Sequence, residues 1–346
     1  MRKILTVVGA RPQFIKAAAV SRAIANSTNL TEVMIHTGQH FDAGMSDVFF
    51  DELDINPPKH RLDIHGGGHG DMTGRMLSAI EPIMIAEKPD WVVVYGDTNS
   101  TLAGALVAAK LHIPIAHVEA GLRSFNRRMP EEINRVLTDH VSALQFCPTK
   151  QAIENLSLEG IRAGVHHVGD VMYDATMFAT KQATSRSSIL SELSIASGHY
   201  ALATVHRAEN TDSPEKLREI VDYLKNESSR RVVVLPLHPR TRQSVDRAGL
   251  SMDGLKVIDP VGYLDMATLL AGAASVFTDS GGVQKEAYFH RVPCTTLRDE
   301  TEWIETVTHG WNRLWKGADF VARREIDEYG DGHASHRIAE ILARAR

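Results

Sequence analysis

Short apolar runs alternate with helix-like segments along almost the whole chain. The runs predict ten strands, five in each half: Ile4–Val8, Glu32–Thr37, Trp91–Tyr95, Ile115–Glu119, Ala143–Cys147, then Tyr200–Val205, Val232–Leu237, Lys256–Asp259, Ala274–Thr278 and Pro293–Leu297. Apolar strands separated by helices are typical of βαβ units and parallel sheets. The pattern therefore predicts an α/β protein with two doubly wound parallel sheets.

Two of the intervening helices carry clear signals. Ser100–Leu111 fills the space between two predicted strands, and a second helix over Glu131–Leu144 follows Pro130. Proline is favoured at the first turn of a helix because its missing N–H has no intrahelical partner there. Helical spacing places one set of apolar residues on a common face: Ile133, Val136, Leu137, Val141 and Leu144.

The chain length favours two domains. With 346 residues it exceeds what a single hydrophobic core usually holds. The Ser- and Thr-rich stretch Lys181–Ser197 follows a predicted hinge at Val168–Asp174. We therefore expect a first domain over 1–170 and a second over 171–332, facing each other across a cleft. The amphipathic segment 333–346 forms a final helix.

Composition excludes several classes of protein. The net charge is −5, with 38 basic and 43 acidic residues, which gives no basic footprint for nucleic acid. No apolar run approaches the roughly 20 residues that span a bilayer. Cys147 and Cys294 lie in separate apolar runs, as expected of buried thiols in a reducing compartment. We expect a soluble cytoplasmic protein, with the charged start MRKILTVVGARP forming a first strand instead of a signal peptide.

Chemistry concentrates where strands end. In open α/β sheets, ligands bind beyond the carboxyl ends of the strands. Ionisable residues or glycine pairs follow most of the predicted strands, in the stretches GARPQFIK, GDTNST, HVEAGLRSFNRRMPEEINR, HRAEN, HPRT and DSGGVQKE. The acids and arginines gathered in HVEAGLRSFNRRMPEEINR point to acid–base chemistry on an anionic substrate.

DSGGVQKE has the features of a phosphate cradle. Gly281 and Gly282 let the backbone approach a ligand, and the following helix presents unpaired N–H groups. Ser280 adds a hydroxyl, and Glu286, one turn on, could accept hydrogen bonds from a ribose diol. The same residues also suit a plain glycine turn with Ser280 or Asp279 as helix cap.

GARPQFIK supplies two cations at the first strand–helix junction. Arg11 and Lys16 could bind phosphate, although Lys16 would also suit a solvated helix face. The stretch is not G-x-G-x-x-G, and G-x-x-x-x-G-K-[ST] does not occur in the chain, which disfavours NAD and P-loop sites.

Asp97, Glu119 and Glu131 are the candidate acid–base set. A single acid at a strand end is often a helix cap, but three converging acids raise one another's pKa and are tolerated mainly at functional sites. Glu132 should point elsewhere on the helix. His206, at a strand end of the second half, could hold a phosphate or transfer a proton, or serve only as a structural donor.

A metal or cofactor is not expected. His65 and His69 have ligand-like spacing, but the glycines between them disfavour a helix, and H-E-x-x-H and C-x-x-C are absent from the sequence.

The chain resembles the non-hydrolysing UDP-N-acetylglucosamine 2-epimerases over almost its whole length. The matching stretches are GARPQFIK, TGQH, GDTNSTLAG, HVEAGLR, PEEINR, HRAEN, LPLHPRT, DPVGYL, TDSGGVQKEA and RDETEW. The resemblance implies a GT-B-like pair of Rossmann domains, with the last helix crossing back to the first, usually in a homodimer. It also implies anti elimination of UDP to a 2-acetamidoglycal, followed by re-addition with C2 inverted.

The resemblance assigns roles to individual residues. Asp97, Glu119 and Glu131 match the essential acids, and His206 matches a histidine near the diphosphate. Diphosphate contacts are expected from Arg11, Lys16, Ser280, Gly281 and Gly282. Glu286 matches the ribose contact, and Val261 and Met266 match residues that line the nucleotide site.

Three departures from the common family pattern bear on the substrate. The loop before the paired glutamates is SFNRRMPEE, TEWIE places Trp303 where an arginine is common, and HGGGHGDMTGR lacks an activator-binding pair. These features resemble the subgroup that epimerises UDP-2,3-diacetamido-2,3-dideoxy-glucuronate for bacterial O-antigen. They lead to two hypotheses: Arg127 or Arg128 receives the C6 carboxylate of a uronate, and allosteric activation by UDP-N-acetylglucosamine is absent.

Two alternatives stay open at this point. One is an ordinary UDP-N-acetylglucosamine 2-epimerase that gives UDP-N-acetylmannosamine. The other is a GT-B glycosyltransferase, which shares the fold and the nucleotide cradle but leaves C2 unchanged.

Overall fold

A computed structural model describes residues 1–39 and 52–345, with Arg11 described by its backbone alone. His40 of the TGQH stretch therefore lies outside the described residues. The chain divides into two compact units, Met1–Ala175 with Asp327–Arg346, and Thr176–Ile326. We call them the first and the second unit.

The first unit is built on a seven-stranded sheet in which every pairing is parallel. The order across the sheet is β3-β2-β1-β4-β5-β6-β7. The strands are β1 (Arg2–Val8), β2 (Leu30–His36), β3 (His60–Arg61), β4 (Trp91–Tyr95), β5 (Ile115–Val118), β6 (Leu144–Cys147) and β7 (Val165–His167).

Helices cover both faces of this sheet. They are α1 (Arg11–Ala25), α2 (His69–Glu87), α3 (Asn99–Lys110), α4 (Pro130–Val141), α5 (Lys150–Leu158), α6 (Val171–Arg186), which continues into the second unit, and the last helix, Ala334–Arg344. Ile4 and Val8 of β1 pack with Phe14 of α1 and with Leu342 of the last helix. Leu5 and Val7 face the opposite cluster. Alternate residues of β1 thus pack into two different hydrophobic cores, one on each face of the sheet, as in a doubly wound fold.

The second unit contains a six-stranded parallel sheet of order β10-β9-β8-β11-β12-β13. Its strands are β8 (Tyr200–Thr204), β9 (Val232–Pro236), β10 (Lys256–Ile258), β11 (Ser275–Thr278), β12 (Cys294–Thr296) and β13 (Asn312–Leu314). Its helices are α7 (Ile189–Glu192), α8 (Ala208–Thr211), α9 (Pro214–Ser228), α10 (Pro239–Arg247), α11 (Tyr263–Ala271), α12 (Gly281–Phe289) and α13 (Ile304–Thr308); the last helix of the chain is α14.

The predicted fold class is confirmed: two doubly wound parallel sheets, with all ten predicted strands within two residues of their observed bounds. β3, β7 and β13 were not predicted because their residues, HR, VHH and NRL, do not form an apolar run. Cys147 and Cys294 are buried free thiols, as expected. Among the described helices, none has the length and apolar character that crossing a membrane requires.

One predicted helix differs from the structure. α4 ends at Val141, and Leu144 begins β6, so Leu144 does not share the helical face. Ile133 and Leu137 of that face are 47% and 44% exposed. The helix instead buries polar residues on its other side: Glu132, Asn134, Thr138 and Asp139. Hydrogen bonds of Glu132, Asn134 and Asp139, described below, favour this burial, whereas the buried Thr138 hydroxyl has no partner among the described residues.

Candidate active site

Each sheet has a switch point, where the strand order reverses direction. In the first unit it lies between β1 and β4, and in the second between β8 and β11. Loops diverge at such a point and leave a crevice at the carboxyl ends of the strands. The stretches GARPQFIK and GDTNST follow the first pair of strands, and HRAEN and DSGGVQKE follow the second. Lys16, Asp97, His206 and the turn at residues 280–282 therefore fall at these two positions, and Glu119 follows the neighbouring strand β5.

Asp97, just beyond β4, is held by α4. The Arg135 guanidinium contacts the Asp97 carboxylate, with its Nε 3.1 Å from Oδ2. Asn134 Nδ2 donates to the Asp97 carbonyl oxygen at 2.9 Å. Thr98, the next residue, caps α3 by accepting a hydrogen bond from the Thr101 N–H. Thr98 is thus the helix cap, and the Asp97 side chain, 31% exposed, is left to contact Arg135.

Glu119, just beyond β5, forms an ion pair with Lys16 of α1. Their side chains are 10% and 12% exposed. Glu119 has a φ of +70°, a left-handed conformation that non-glycine residues rarely adopt. Such strain is found mostly at functional sites, where the surrounding structure holds it in place. The neighbouring strand end thus places a second carboxylate next to a cation.

Arg135 connects the two carboxylates electrostatically. Burial lowers the Arg135 pKa, but the negative charges of Asp97, Glu132 and Glu119 have the larger, opposite effect. The pKa of Arg135 is therefore raised overall. Glu119 therefore lies within electrostatic reach of the cation that holds Asp97. The structure brings Lys16, Asp97, Glu119 and Arg135 together at one end of the first sheet.

Glu131 and Glu132 occupy different environments at the start of α4. Glu132 is 2% exposed, while Glu131 is exposed one turn before Arg135. Glu132 accepts hydrogen bonds from the backbone N–H groups of Ser124 and Phe125, both at 2.9 Å. Burial raises the Glu132 pKa, but these bonds and the Arg135 charge outweigh burial and leave it lowered. Glu132 therefore binds the loop and points away from Glu131, as expected, and Glu131 is exposed to solvent.

Arg127 and Arg128 lie at the exposed tip of this loop. Neither side chain forms an ion pair or a hydrogen bond with any residue in 1–39 or 52–345. The Arg128 N–H donates to Asn126 Oδ1 at 3.1 Å, which shapes the turn. Two unpaired guanidinium groups thus project close in sequence to Glu131.

A buried ionic network lies beneath the acids. His117 Nε2 is 2.7 Å from the Gly96 carbonyl oxygen, and His117 Nδ1 is 2.6 Å from Asp139 Oδ1. Asp139 Oδ2 also accepts from the Gly121 N–H at 3.1 Å and from Arg123 at 2.7 Å. Burial raises the Asp139 pKa, but His117 and Arg123 outweigh it and leave the pKa lowered. The network joins the backbone beside Asp97 to the backbone beside Glu119.

In the second unit, Asp279 organises the end of β8. It is fully buried and accepts hydrogen bonds from the N–H groups of His206, at 3.0 Å, and Arg207, at 2.9 Å. Asn210 Nδ2 donates to the same carboxylate at 3.1 Å. His206 Nδ1 lies 3.4 Å from Asp279 Oδ1, and the ring is 52% exposed. Asp279, the first residue of DSGGVQKE, thus fixes the position of His206, the first residue of HRAEN.

The helix that follows Asp279 begins with two glycines. Ser280 is the N-cap residue of α12, but its hydroxyl forms no capping hydrogen bond. Gly281 and Gly282 are the first two helical residues, and Glu286 lies half-buried one turn on. The first N–H groups of a helix lack intrahelical partners and favour an anion. Val261 and Met266 are half-buried in the same cluster as Val283.

Several residues of these sites were missed from the sequence. Arg135 follows Glu131 by four residues, the spacing that puts two side chains on one helix face, so periodicity could have found it. His117 interrupts an apolar strand, which is a second usable signal. The pairing of Asp139 with Arg123 has no local signal, because it joins a loop to a helix.

Arg11 is the first residue of α1, and only its backbone is described.

Comparison with known proteins identifies relatives over the whole chain. The family model described as UDP-N-acetylglucosamine 2-epimerase matches residues 22–343. UDP-2,3-diacetamido-2,3-dideoxy-D-glucuronate 2-epimerase of Pseudomonas aeruginosa is 56% identical, and the match covers 99% of each chain. A UDP-N-acetylglucosamine 2-epimerase homolog of Methanococcus maripaludis is 52% identical, over 98% of this chain and 99% of that protein.

A solved structure gives the same result for the fold. The crystal structure of Methanocaldococcus jannaschii UDP-GlcNAc 2-epimerase in complex with UDP-GlcNAc and UDP is 43% identical to this chain, with a TM-score of 0.87. The match covers 98% of this chain and 99% of that one. The predicted GT-B-like class is therefore confirmed at the level of the fold.

Proposed function

This chain belongs to the UDP-N-acetylglucosamine 2-epimerase family, and from that premise we propose that it inverts C2 of UDP-2,3-diacetamido-2,3-dideoxy-D-glucuronate. The observation that carries the proposal is the 56% identity, over 99% of the chain, to the Pseudomonas enzyme of that name. The product would be the manno epimer, a precursor for bacterial surface polysaccharide.

The reaction begins with the bond between the sugar and the diphosphate. The C2 hydrogen of a sugar nucleotide has no adjacent carbonyl, so no enolate can form when it is removed. The C1–O bond therefore breaks and UDP leaves with the electron pair, while a base takes the C2 proton and a 2-acetamidoglycal forms. UDP then re-adds at C1, and an acid returns a proton to the opposite face of C2.

The acids at the end of the first sheet suit both proton transfers. A general base and a general acid are needed on opposite faces of C2, and Asp97 and Glu119 are carboxylates from neighbouring strands. We assign the two transfers to Asp97, Glu119 and Glu131 as a set. Arg135 and Lys16 orient Asp97 and Glu119, and both can stabilise the departing diphosphate.

The nucleotide belongs to the second unit in this proposal. The N–H groups at the start of α12 favour a phosphate, and the Ser280 hydroxyl forms no capping hydrogen bond. His206 would contact the diphosphate, Glu286 the ribose diol, and Val261 and Met266 the nucleoside. Arg11 would add a further phosphate contact from α1. The two units would then act as an N-terminal and a nucleotide-binding domain around a shared cleft.

Arg127 and Arg128 provide the basis for choosing a uronate. The C6 carboxylate of glucuronate needs a cation that N-acetylglucosamine does not, and a guanidinium can bind a carboxylate through two parallel hydrogen bonds. Both arginines are exposed without ion-pair partners among the described residues, on a loop that Glu132 holds. We therefore assign the carboxylate to this pair.

A second candidate substrate is UDP-N-acetylglucosamine. It is favoured by the 52% identity to the Methanococcus maripaludis homolog and by the 43% identity to the Methanocaldococcus structure. A GT-B glycosyltransferase, by contrast, is not supported by any of these relatives.

A side-by-side assay of the two nucleotide sugars tests the choice of substrate. Wild-type protein should convert the diacetamido-uronate with the higher kcat/KM. The double variant Arg127→Ala/Arg128→Ala should raise KM for the uronate by roughly tenfold, because a hydrogen bond between charged groups is lost. It should leave KM for UDP-N-acetylglucosamine unchanged.

Arg230→Ala/Arg231→Ala is the matched control, since it removes an exposed arginine pair from the second unit. A higher kcat/KM for UDP-N-acetylglucosamine would refute the uronate assignment. If the Arg127/Arg128 variant has the same KM for the uronate as the wild type, only the role of the two arginines is refuted.

We further propose that the protein is a cytoplasmic homodimer. The buried free thiols Cys147 and Cys294 suit a reducing compartment. Dimerisation is supported by the exposed apolar residues Ile133 and Leu137 on α4.

A further inference from the structure

The indole N–H of Trp303 has no acceptor within the described ranges, 1–39 and 52–345. The side chain is only 8% exposed. The Nε1 atom itself keeps some contact with solvent, so an acceptor from outside the protein can reach it. Trp303 precedes α13 in the second unit, and its N–H is directed toward another element of that unit.

That element is the N-terminus of α12. A Cβ atom placed on Gly281 would lie 3.5 Å from Trp303 Nε1, which is its nearest neighbour. The partnerless donor therefore borders the same space as the first free N–H groups of the helix. The Trp303 N–H and the first N–H groups of the nine-residue helix α12 therefore both face the position next to Gly281, where an acceptor could bind.

The charges around this position favour an anion. Arg207 Nη2 would lie 3.8 Å from the same Cβ. The Lys285 ammonium, 2% exposed, lies 3.9 Å from the centre of the Trp303 ring. Its positive charge polarises the ring and strengthens the N–H as a donor.

One acid also borders the position, and it is paired with Arg298. Glu302 Oε2 would be 3.6 Å from the Gly281 Cβ. Arg298 Nη1 contacts both Glu302 oxygens, at 3.1 and 3.0 Å, and the Arg298 side chain is 6% exposed. Arg298 also contacts Glu209, at 3.0 Å, so it offsets only part of the Glu302 charge, while Arg207 and Lys285 add positive charge near the position.

We propose that the Trp303 indole N–H donates a hydrogen bond to a phosphate oxygen of a nucleoside diphosphate bound at the N-terminus of α12. The inference rests on the proposed function, since it adds a specific donor to the UDP site. An indole N–H can only donate, and an ionised phosphate oxygen can only accept, so the two are complementary. The N–H, and not the ring as a whole, is the group that recognises the ligand.

Trp303→Phe separates the N–H from the ring. Phenylalanine keeps an aromatic face for Lys285 but has no donor. The dissociation constant for UDP, measured by calorimetry on the full chain, should rise about tenfold, because a hydrogen bond to a charged acceptor is lost. The dissociation constant for uridine, measured by NMR titration, should not change.

Trp315→Phe is the matched control. Trp315 Nε1 likewise has no hydrogen-bond partner among the described residues, but the atom is buried and its ring packs in the core of the second unit, against Tyr223. The control should bind UDP like the wild type.

Gly281→Ala tests the position independently of Trp303. The nearest atoms would be 3.5 Å or more from the added Cβ, an ordinary van der Waals contact, so the fold should accept it. The methyl group would occupy the space of the ligand oxygen, and UDP affinity should fall while the melting temperature stays the same.

The outcomes separate this inference from the proposed function. Wild-type protein that does not bind UDP would refute the proposed function. Tight UDP binding that Trp303→Phe leaves unaltered would refute only the role of the indole. An equal loss of uridine affinity would place the N–H on the nucleoside and overturn the phosphate assignment. If Trp303→Phe does not fold, unchanged UDP affinity in Gly281→Ala is the overturning result.

Discussion

Asp97 and Glu119 each contact a different cation, and this pairing distinguishes them from ordinary strand-end acids. Arg135 reaches Asp97 from α4, and Lys16 reaches Glu119 from α1. A cation that contacts a carboxylate holds its orientation, which suits a base that must remove a weakly acidic C–H proton. The sequence could identify both acids by their position after strands. It could not show which cation pairs with which acid, because each pair joins residues far apart in the chain.

Trp303 illustrates the same limit at a single position. The sequence marked it only as a departure, where an arginine is common. The structure adds that its N–H borders Gly281 and lacks a partner among the described residues. A donor's orientation depends on the backbone that carries it, which a motif does not contain.

Asp139 is the residue whose loss should disturb the first unit most. Asp139 lies 2.6 Å from His117 Nδ1 and accepts a hydrogen bond from Arg123 at 2.7 Å, inside the buried network. Asp139→Asn would replace the carboxylate that both residues contact with a neutral amide. Removing one partner of a buried ion pair lowers the free energy of unfolding by about 3–5 kcal/mol. We expect that loss in urea denaturation, with a lower kcat and a nearly unchanged KM.

Glu159→Gln is the control for Asp139. Glu159 binds the same Arg123 through two contacts at 2.7 Å, but its side chain is 28% exposed. Removing a partly exposed pair should cost about 0–1 kcal/mol. If the two variants lose equal stability, the network does not support the acids as described.

At the scale of elements, strands were predicted better than helix faces. A strand such as β4, WVVVY, is buried on both sides, and its apolar run alone identifies it. α4 was harder, because its buried side is polar and its apolar stripe faces solvent. Periodicity reports which residues share a face, but not which face turns inward when buried polar groups have partners.

The exposed stripe of α4 leads to a prediction about assembly. Ile133 and Leu137 are one turn apart and nearly half exposed, which suits contact with a second copy of the chain. Ile133→Asp/Leu137→Asp should convert the proposed dimer to a monomer in light scattering, because two charges cannot be buried unpaired.

Ile304→Asp/Val321→Asp is the matched variant, since these apolar residues are 64% and 54% exposed in the second unit. It should remain dimeric. A wild-type monomer, or a dimer that survives the α4 substitutions, would remove α4 from the interface.

At the scale of the molecule, two similar sheets supply different chemistry. The switch point of the first sheet gathers carboxylates with their cations, and that of the second gathers a histidine and a glycine-started helix. The alternation of strands and helices predicted both sheets, and strand ends predicted where the chemistry lies. The sequence pattern could not give the substrate, because a loop such as SFNRRMPEE can bind different anions. That choice rests on the identity to relatives and on the unpaired arginines.

Solvent hydrogen exchange at C2 tests the central claim most directly. The purified protein is incubated in deuterium oxide with UDP-2,3-diacetamido-2,3-dideoxy-glucuronate and no acceptor, and the sugar is followed by NMR. Removal and return of the C2 proton predicts that the manno epimer carries deuterium at C2 from its first appearance. An epimer that keeps its original hydrogen at C2, or a sugar that is transferred or hydrolysed with C2 unchanged, would contradict the account.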